Sequence, residues 1–305
     1  MKIGNIQFAR PFISLAPLAG YGDVAFRRIC RDYGASLTVT EMVSVKGLVY
    51  GNEKTEILLR LAGNETPSCV QLFGSEPDFF CRALSLPALS GFDIIDINMG
   101  CPVPKVTKCG EGSALMLEPE RAADIVRACV SAAGGRPVTV KHRLGYYDEN
   151  KNAPEFAAKM QEAGAAAITV HGRTTKQGYG GVAEIARVAR AVTVPVIGNG
   201  DISCREDAEA KIAEYGCAGV AVGRGAIGNP DIFADETQTS RETLKEIIKK
   251  HISYALEYFP PAVAVRTMRK HLCKYLSRVR GTKQLRLYVN TVTDAAELIK
   301  AVNEL

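Results

Sequence analysis

Cys101 stands in the stretch Asn98-Met99-Gly100-Cys101-Pro102, directly behind the β-branched run Asp93-Ile94-Ile95-Asp96-Ile97. That run reads as a buried strand, so the thiol is placed in the loop just past a strand's C-terminal end. In parallel α/β folds this is where chemistry is done. Pro102 fixes the exit of the turn, and the thiol is aimed rather than floppy. A thiol with an ordinary pKa of ~8.5 is mostly protonated at neutral pH and is a competent acid. The alternative is a cysteine that merely fills a tight turn, since free cysteines are often buried.

Other polar residues recur at equivalent places. Pro17, Leu18, Ala19 and Gly20 follow a first apolar run, and Glu41 and Met42 follow a second. Gln71 lies near the end of a third, and Asn98 ends the fourth. Lys141-His142-Arg143, His171-Gly172-Arg173-Thr174, Gly198-Asn199-Gly200-Asp201 and Gly223-Arg224-Gly225 close the remaining four. Such a one-sided distribution implies a single polar site at one end of a sheet or barrel. The last two loops suit a phosphate: glycines let backbone N–H groups approach it, and Arg224 adds a planar cationic donor. Gln71, Asn98 and Lys141 suit the other end of the same ligand. Side-chain amides pair with a heterocycle's edge, and an ammonium stabilises negative charge that develops there, as on a reduced flavin.

These residues need a scaffold that brings strand ends together. Strands are predicted over 12–16, 37–40, 68–73, 94–98, 138–142, 167–170, 195–198 and 219–222. Amphipathic helical patterns lie between them, including 23–33, 119–133, 153–163, 181–191 and 205–215. Eight such units predict an α/β fold, a (β/α)8 TIM barrel. A doubly wound open sheet is the runner-up, but the opening G-x-G-x-x-G of that fold is missing. The longer loops 43–65 and 102–118 are expected to be functional.

After Phe233 the pattern turns helical, and residues 240–304 are predicted to form an all-helical C-terminal domain. Within it, residues 266–286 carry eight basic side chains and no acid. On a helix, Arg266, Lys270, Lys274 and Arg278 fall at i, i+4 and line one face, with Met268, Leu272, Tyr275 and Val279 packing on another. A solvated basic face is the bland reading; nucleic acid is favoured, because so many like charges self-repel without an anionic partner.

Composition narrows the classes. Across 305 residues, 47% apolar and 23% charged content is ordinary for a globular protein, and the net charge of +5 permits an anionic partner. No apolar run reaches transmembrane length and the N-terminus shows no signal-peptide core. Nine scattered cysteines without a C-x-x-C pair point to a reducing, cytoplasmic setting. Four histidines and no H-E-x-x-H leave no metal site expected. Nothing demands an obligate protein partner.

The chain resembles the tRNA-dihydrouridine synthases of the bacterial type. The resemblance is carried by Ala16-Pro17-Leu18-Ala19-Gly20, Asp96-Ile97-Asn98-Met99-Gly100-Cys101-Pro102, Val140-Lys141, Val170-His171-Gly172-Arg173-Thr174, Gly198-Asn199-Gly200-Asp201-Ile202, Gly223-Arg224 and Arg269-Lys270-His271-Leu272 with Tyr275. It implies an FMN-binding catalytic barrel over residues 1–235 and an RNA-binding helical domain over 236–305. FMN would contact Pro17, Leu18 and Ala19, with Gln71, Asn98 and Lys141 near its ring. His171 would lie near the cofactor, and Asn199, Gly200, Asp201, Gly223 and Arg224 at its phosphate end. NADPH would reduce the flavin, a flipped uridine of tRNA would accept hydride at C6, and Cys101 would protonate C5. Arg266, Arg269, Lys270, Lys274 and Arg278 would grip RNA. Three places depart from the family pattern: Glu111, where a small residue is usual; Ala183-Glu184-Ile185, which lacks the aromatic that commonly ends that motif; and Asp231, where Trp is common. A flavin barrel acting on a free pyrimidine, and a non-catalytic RNA-binding protein, are the rival readings.

Overall fold

In the computed structural model, residues 1–177, 184–235 and 240–305 are described. A short antiparallel pair, β1 (Lys2–Ile3) and β2 (Ile6–Gln7), precedes eight parallel strands. These are β3 (Ile13–Leu15), β4 (Val39–Ser44), β5 (Cys69–Phe73), β6 (Ile94–Met99), β7 (Val138–Arg143), β8 (Ala167–His171), β9 (Val196–Asn199) and β10 (Gly219–Val222). Their order runs β3-β10-β9-β8-β7-β6-β5-β4. A parallel bridge between Leu15 and Thr38 joins the two ends of that row. The Leu15 N–H donates to Leu37 O at 2.8 Å, and the Ser36 N–H to Ile13 O at 2.9 Å. The fold is the predicted TIM barrel.

The helices are α1 (Val24–Asp32), α2 (Val45–Val49), α3 (Glu53–Glu56), α4 (Pro77–Leu84), α5 (Pro104–Thr107), α6 (Pro119–Ala132), α7 (Ala153–Glu162), α8 (Ile185–Ala191), α9 (Arg205–Tyr215), α10 (Arg241–Tyr258), α11 (Pro261–Ser277), α12 (Lys283–Val289) and α13 (Ala295–Asn303). The predicted 43–65 loop is partly ordered as α2 and α3, because Ser44 and Asn52 supply N-caps: Ser44 accepts from the Gly47 N–H and Asn52 from the Lys54 N–H. The predicted strand 37–40 instead runs to Ser44, so Glu41 and Met42 lie within β4. The first residues of the predicted helix 181–191 and the start of the expected C-terminal domain fall on 178–183 and 236–239, outside the described residues.

Inward-facing positions follow the period of two along each strand. At the lower level they are apolar: Cys69, Ile94, Ala167, Ile197 and Ala221 pack with Ile3, Phe8 and Phe12, so the N-terminal hairpin plugs the barrel floor. Two residues further on they turn polar: Gln71, Asp96, Thr169 and Asn199, joined by Thr139 and Lys141 of β7. The outer faces of the strands are apolar as well and pack under the surrounding helices, which is why the strands read as near-continuous hydrophobic runs.

The C-terminal helices share a core with the barrel. Leu244, Ile247, Ile248 and Ala255 of α10 cluster with Phe26, Ile29 and Cys30 of α1 and with Met268, Leu272 and Tyr275 of α11. Near this junction lies a buried ion pair. The Arg27 guanidinium donates to Glu65 at 2.8 and 3.2 Å and to Gly22 O at 2.8 Å. Glu65 also accepts from Thr38 Oγ1 and the Ala62 N–H, both at 2.9 Å. Both side chains are 1% exposed, so removing one strands the other charge without water. Glu65→Ala is expected to lower unfolding free energy by about 3–5 kcal/mol in urea denaturation. A loss under about 1 kcal/mol, the range of surface pairs, would refute a stabilising role.

Candidate active site

At the C-terminal rim of the strands a cavity of about 750 Å³ opens, a size that suits a nucleotide-like ligand. Cys101, Pro17, Leu18, Ala19, Gln71, Asn98, Lys141, His171, Asn199, Gly200, Asp201, Gly223 and Arg224 all line it. Met42, Arg143 and Ile202, which the sequence places at strand ends or in a motif without a role at the ligand, line it too, as does Val103, which the sequence did not mark. A role for Arg143 was legible as well: it lies two residues beyond Lys141 on β7 and so shares its inward face.

Cys101 sits half-buried on a turn that is held from three sides. Asn98 Oδ1 accepts from the Cys101 N–H at 2.9 Å and the Gly100 N–H at 3.2 Å. Arg143 Nε donates to Gly100 O at 2.6 Å and Nη1 to Thr174 O at 2.8 Å. Behind it, the Ser113 N–H donates to Cys101 O at 3.0 Å. Gly112 makes this approach possible: its φ is +61°, and a Cβ there would stand 2.7 Å from Cys101 O. Burial pushes the Cys101 thiol up, partly offset by the Val103 N–H and the Arg143 charge. It is therefore a protonated thiol at neutral pH. Glu111, the departure in this loop, is buried, and burial raises its carboxyl against the pull of Lys46.

Lys141 is in the depth of the cavity. Its Nζ donates to Asn199 Oδ1 at 3.0 Å, and Asn199 Nδ2 donates in turn to Ala221 O at 2.8 Å. Burial, with Arg143 adding to it, lowers the Lys141 ammonium to about 8, and Asp96 acts in the opposite sense. His171 is held neutral: burial and the cations Lys141, Arg143, Arg173 and Arg224 depress it to about 2. Among the charged lining residues described, Lys141, Arg143 and Arg224 face one carboxylate, Asp201. Asp201 has φ +47°, unusual for a residue with a side chain. Its carboxylate meets Arg173 Nη2 at 2.5 Å and lies 3.9 Å from Arg224 Nη2. The two phosphate-type loops pack backbone to backbone, since a Cβ on Gly225 would stand 2.0 Å from Ile202 O. The cavity is thus a positive site with one end built of close-packed loop backbone.

The basic segment is less uniform than its spacing predicts. Arg266 and Lys274 are exposed on α11. Arg269 Nε donates to Val292 O at 2.7 Å. Lys270 reaches Gly20 O and sits 5.1 Å from the Tyr21 ring centroid. Arg278 is the C-cap of α11 rather than a helical residue, and it pairs with Asp231 at 3.1 Å. That pair accounts for the acid found at position 231. No helix among the described residues is long and apolar enough to cross a membrane. No cluster of His, Cys, Asp or Glu among them is arranged to hold a metal ion.

Known proteins share both the sequence and the architecture. The family model described as dihydrouridine synthase matches residues 14–305. A probable tRNA-dihydrouridine synthase of Rhizobium leguminosarum bv. phaseoli is 39% identical, with 87% of this chain and 85% of that one covered. The tRNA-dihydrouridine synthase B of Pectobacterium carotovorum is 36% identical over 99% of this chain and 98% of its own. Among solved structures, morphinone reductase aligns with a TM-score of 0.55 at 12% identity, over 80% of this chain and 91% of its own. The old yellow enzyme from Trypanosoma cruzi aligns at 0.53 and 15% identity, over 80% and 94%. Those two likenesses are of fold. The family-model match over nearly the whole chain and the two close relatives place this protein in the dihydrouridine synthase family.

Proposed function

We propose that the cavity binds FMN and that the protein reduces the 5,6 double bond of uridines in tRNA to give dihydrouridine, with NADPH as reductant. The residues fit the cofactor. The loops after β9 and β10 offer backbone N–H groups and Arg224 to a terminal phosphate. Gln71, Asn98 and Lys141 would meet a ring's polar edge, and Asn199, which accepts from Lys141 at 3.0 Å, would stand beside that edge rather than at the phosphate. Once bound, the flavin supplies the hydride that uracil C6 accepts.

The chain's own groups do the rest. The Cys101 thiol delivers the proton to C5; its turn donates to Asn98 and accepts from Arg143, which hold it at the mouth, where a base flipped out of the RNA would enter. Lys141 keeps positive charge beside the ring edge as negative charge develops there. His171, held neutral, is suited to accept or donate one hydrogen bond without adding charge. The exposed Arg266 and Lys274 suit backbone phosphates of the RNA, and Lys270 and Arg278 hold α11 against the barrel. The division into a catalytic barrel (residues 1–235) and an RNA-binding helical region (236–305) belongs to this reading, as does a cytoplasmic setting, which the nine free thiols support.

The observation that carries the reading is a thiol on a hydrogen-bonded turn lining a cavity that also holds a part-buried lysine and two phosphate-type loops, in a chain of this family. Purified protein is expected to show flavin absorbance and to form dihydrouridine in tRNA with NADPH, but not in free uridine. A colourless protein that cannot be loaded with FMN would end the proposal. Arg266→Ala with Lys274→Ala should weaken tRNA binding and flatten its dependence on log salt by roughly 1 unit per lost phosphate contact, with flavin reduction unchanged. An unchanged salt slope would make both residues plain surface.

A further inference from the structure

Beneath Cys101 and Lys141 runs a chain of buried hydrogen bonds with a carboxylate at its base. Thr139 Oγ1 donates to Asp96 Oδ1 at 2.6 Å, and Gln71 Nε2 donates to Asp96 Oδ2 at 2.7 Å. Asn98 Nδ2 donates to Gln71 Oε1 at 2.8 Å. Asn98 Oδ1 then accepts both turn N–H groups, of Gly100 and Cys101. Strand register builds this stack: Gln71 lies opposite Asp96, and Asp96 opposite Thr139.

The two ends of the chain agree on one solution. Backbone N–H groups only donate, and an ionised carboxylate only accepts. Asn98 must therefore turn its oxygen to the Cys101 turn and its amide nitrogen to Gln71. Gln71 must turn its oxygen to Asn98 and its nitrogen to Asp96. A flip of either amide sets donor against donor, which is costly among groups that are buried. Asp96 also shares the small chamber below the cavity with Lys141 and supplies negative charge beneath it.

We infer that Asp96 is a positioning residue of this site: it closes the amide chain by accepting from Gln71, holds the Cys101 turn through Gln71 and Asn98, and lays a negative charge in the chamber beneath Lys141. This rests on the roles given above to Cys101 and Lys141. Gln71 and Asn98 thereby present one defined pattern of donors and acceptors to whatever ring lies over them. Burial raises the Asp96 carboxyl to about 6, while Thr139, Gln71 and Lys141 favour its ionised form.

Two variants separate the parts. Asp96→Leu removes the acceptor, so the buried Gln71 Nε2 loses its partner and the stack under the Cys101 turn loosens. In Asp96→Asn the new amide can donate to the Thr139 hydroxyl, which rotates to accept, while its oxygen still accepts from Gln71; the chain survives and the charge is gone. The first readout is the rate at which iodoacetamide alkylates Cys101 in the FMN-loaded protein, followed by peptide mass mapping. Asp96→Leu is expected to alkylate about tenfold faster, and Asp96→Asn within about twofold of the parent. The second readout is the pH profile of flavin reduction by NADPH. In Asp96→Asn its alkaline limb should move to lower pH, because Lys141 loses the neighbour that raises its pKa.

A folded, flavin-bound Asp96→Leu protein whose Cys101 alkylates at the parent rate would overturn the inference. So would an Asp96→Asn profile with an unmoved limb, which decides the matter if Asp96→Leu does not fold. Alkylation does not depend on dihydrouridine formation, so these results stay distinct from a failure of the functional reading.

Discussion

Cys101→Ala should leave FMN bound and its reduction by NADPH intact, while slowing dihydrouridine formation by roughly 10²–10⁴-fold, the usual worth of a positioned general acid. The physical ground is the separation of the two halves of the reaction. Cofactor contacts are assigned to the loops after β3, β9 and β10 and to Gln71, Asn98 and Lys141; the Cys101 thiol itself is not among them, and its turn is held by backbone groups that the alanine variant keeps. Adding hydride to C6 of uracil leaves carbanion character at C5, which needs a proton at once. The thiol can supply it because burial keeps it protonated beyond neutral pH. Its acidity would be lost as pH rises through that elevated pKa, not before. Single-turnover measurement with prereduced protein and tRNA separates the steps. If the variant forms dihydrouridine at the parent rate, Cys101 is not the acid.

Lys141→Met is the second large effect. It should slow flavin reduction by roughly 10²–10³-fold, the range found when a preorganised donor to a developing anion is removed. Its pH signature is distinctive. An ordinary lysine keeps its charge to a pH of ~10.4. Lys141, lowered to about 8, loses its charge earlier as pH rises, so the rate should fall on an alkaline limb beginning near that value. Lys141→Met should be slow and flat across the same range. Stopped-flow absorbance between neutral pH and about 10 compares the two. A parent profile that stays level to the alkaline end would show that the lysine charge is not used.

Much of the site is written along the strands. Gln71, Asn98, Lys141, His171 and Asn199 are legible because each lies in or at the end of an apolar run, and a strand places every second residue on one side. Cys101 is legible because Gly100 and Pro102 mark a turn behind a buried strand. Strand limits were less legible. Glu41 and Met42 read as loop, yet pairing with β5 extends β4 to Ser44, a contact that no local signal reports. The 43–65 segment lacks strong periodicity, and its short helices are held by caps and packing. The basic segment shows the opposite failure. Its spacing is helical and its charge uniform, yet Arg269, Lys270 and Arg278 find partners at Val292, Gly20 and Asp231, all distant in sequence.

The sequence by itself determined the alternation of strands and helices, the side of the sheet on which chemistry gathers, and the identity of the thiol, the lysine and the phosphate-type loops. These depend on local periodicity and turn chemistry, which act over a few residues. Only the tertiary structure decided which way the Gln71 and Asn98 amides face, that Asp96 lies beneath them, that Arg143 braces the Cys101 turn, and which basic side chains remain on the surface. Each of those is a pairing between residues brought together by barrel closure and strand register. The energy of a buried hydrogen bond or ion pair is set by the partner and the exclusion of water, and neither is encoded in the spacing along one strand.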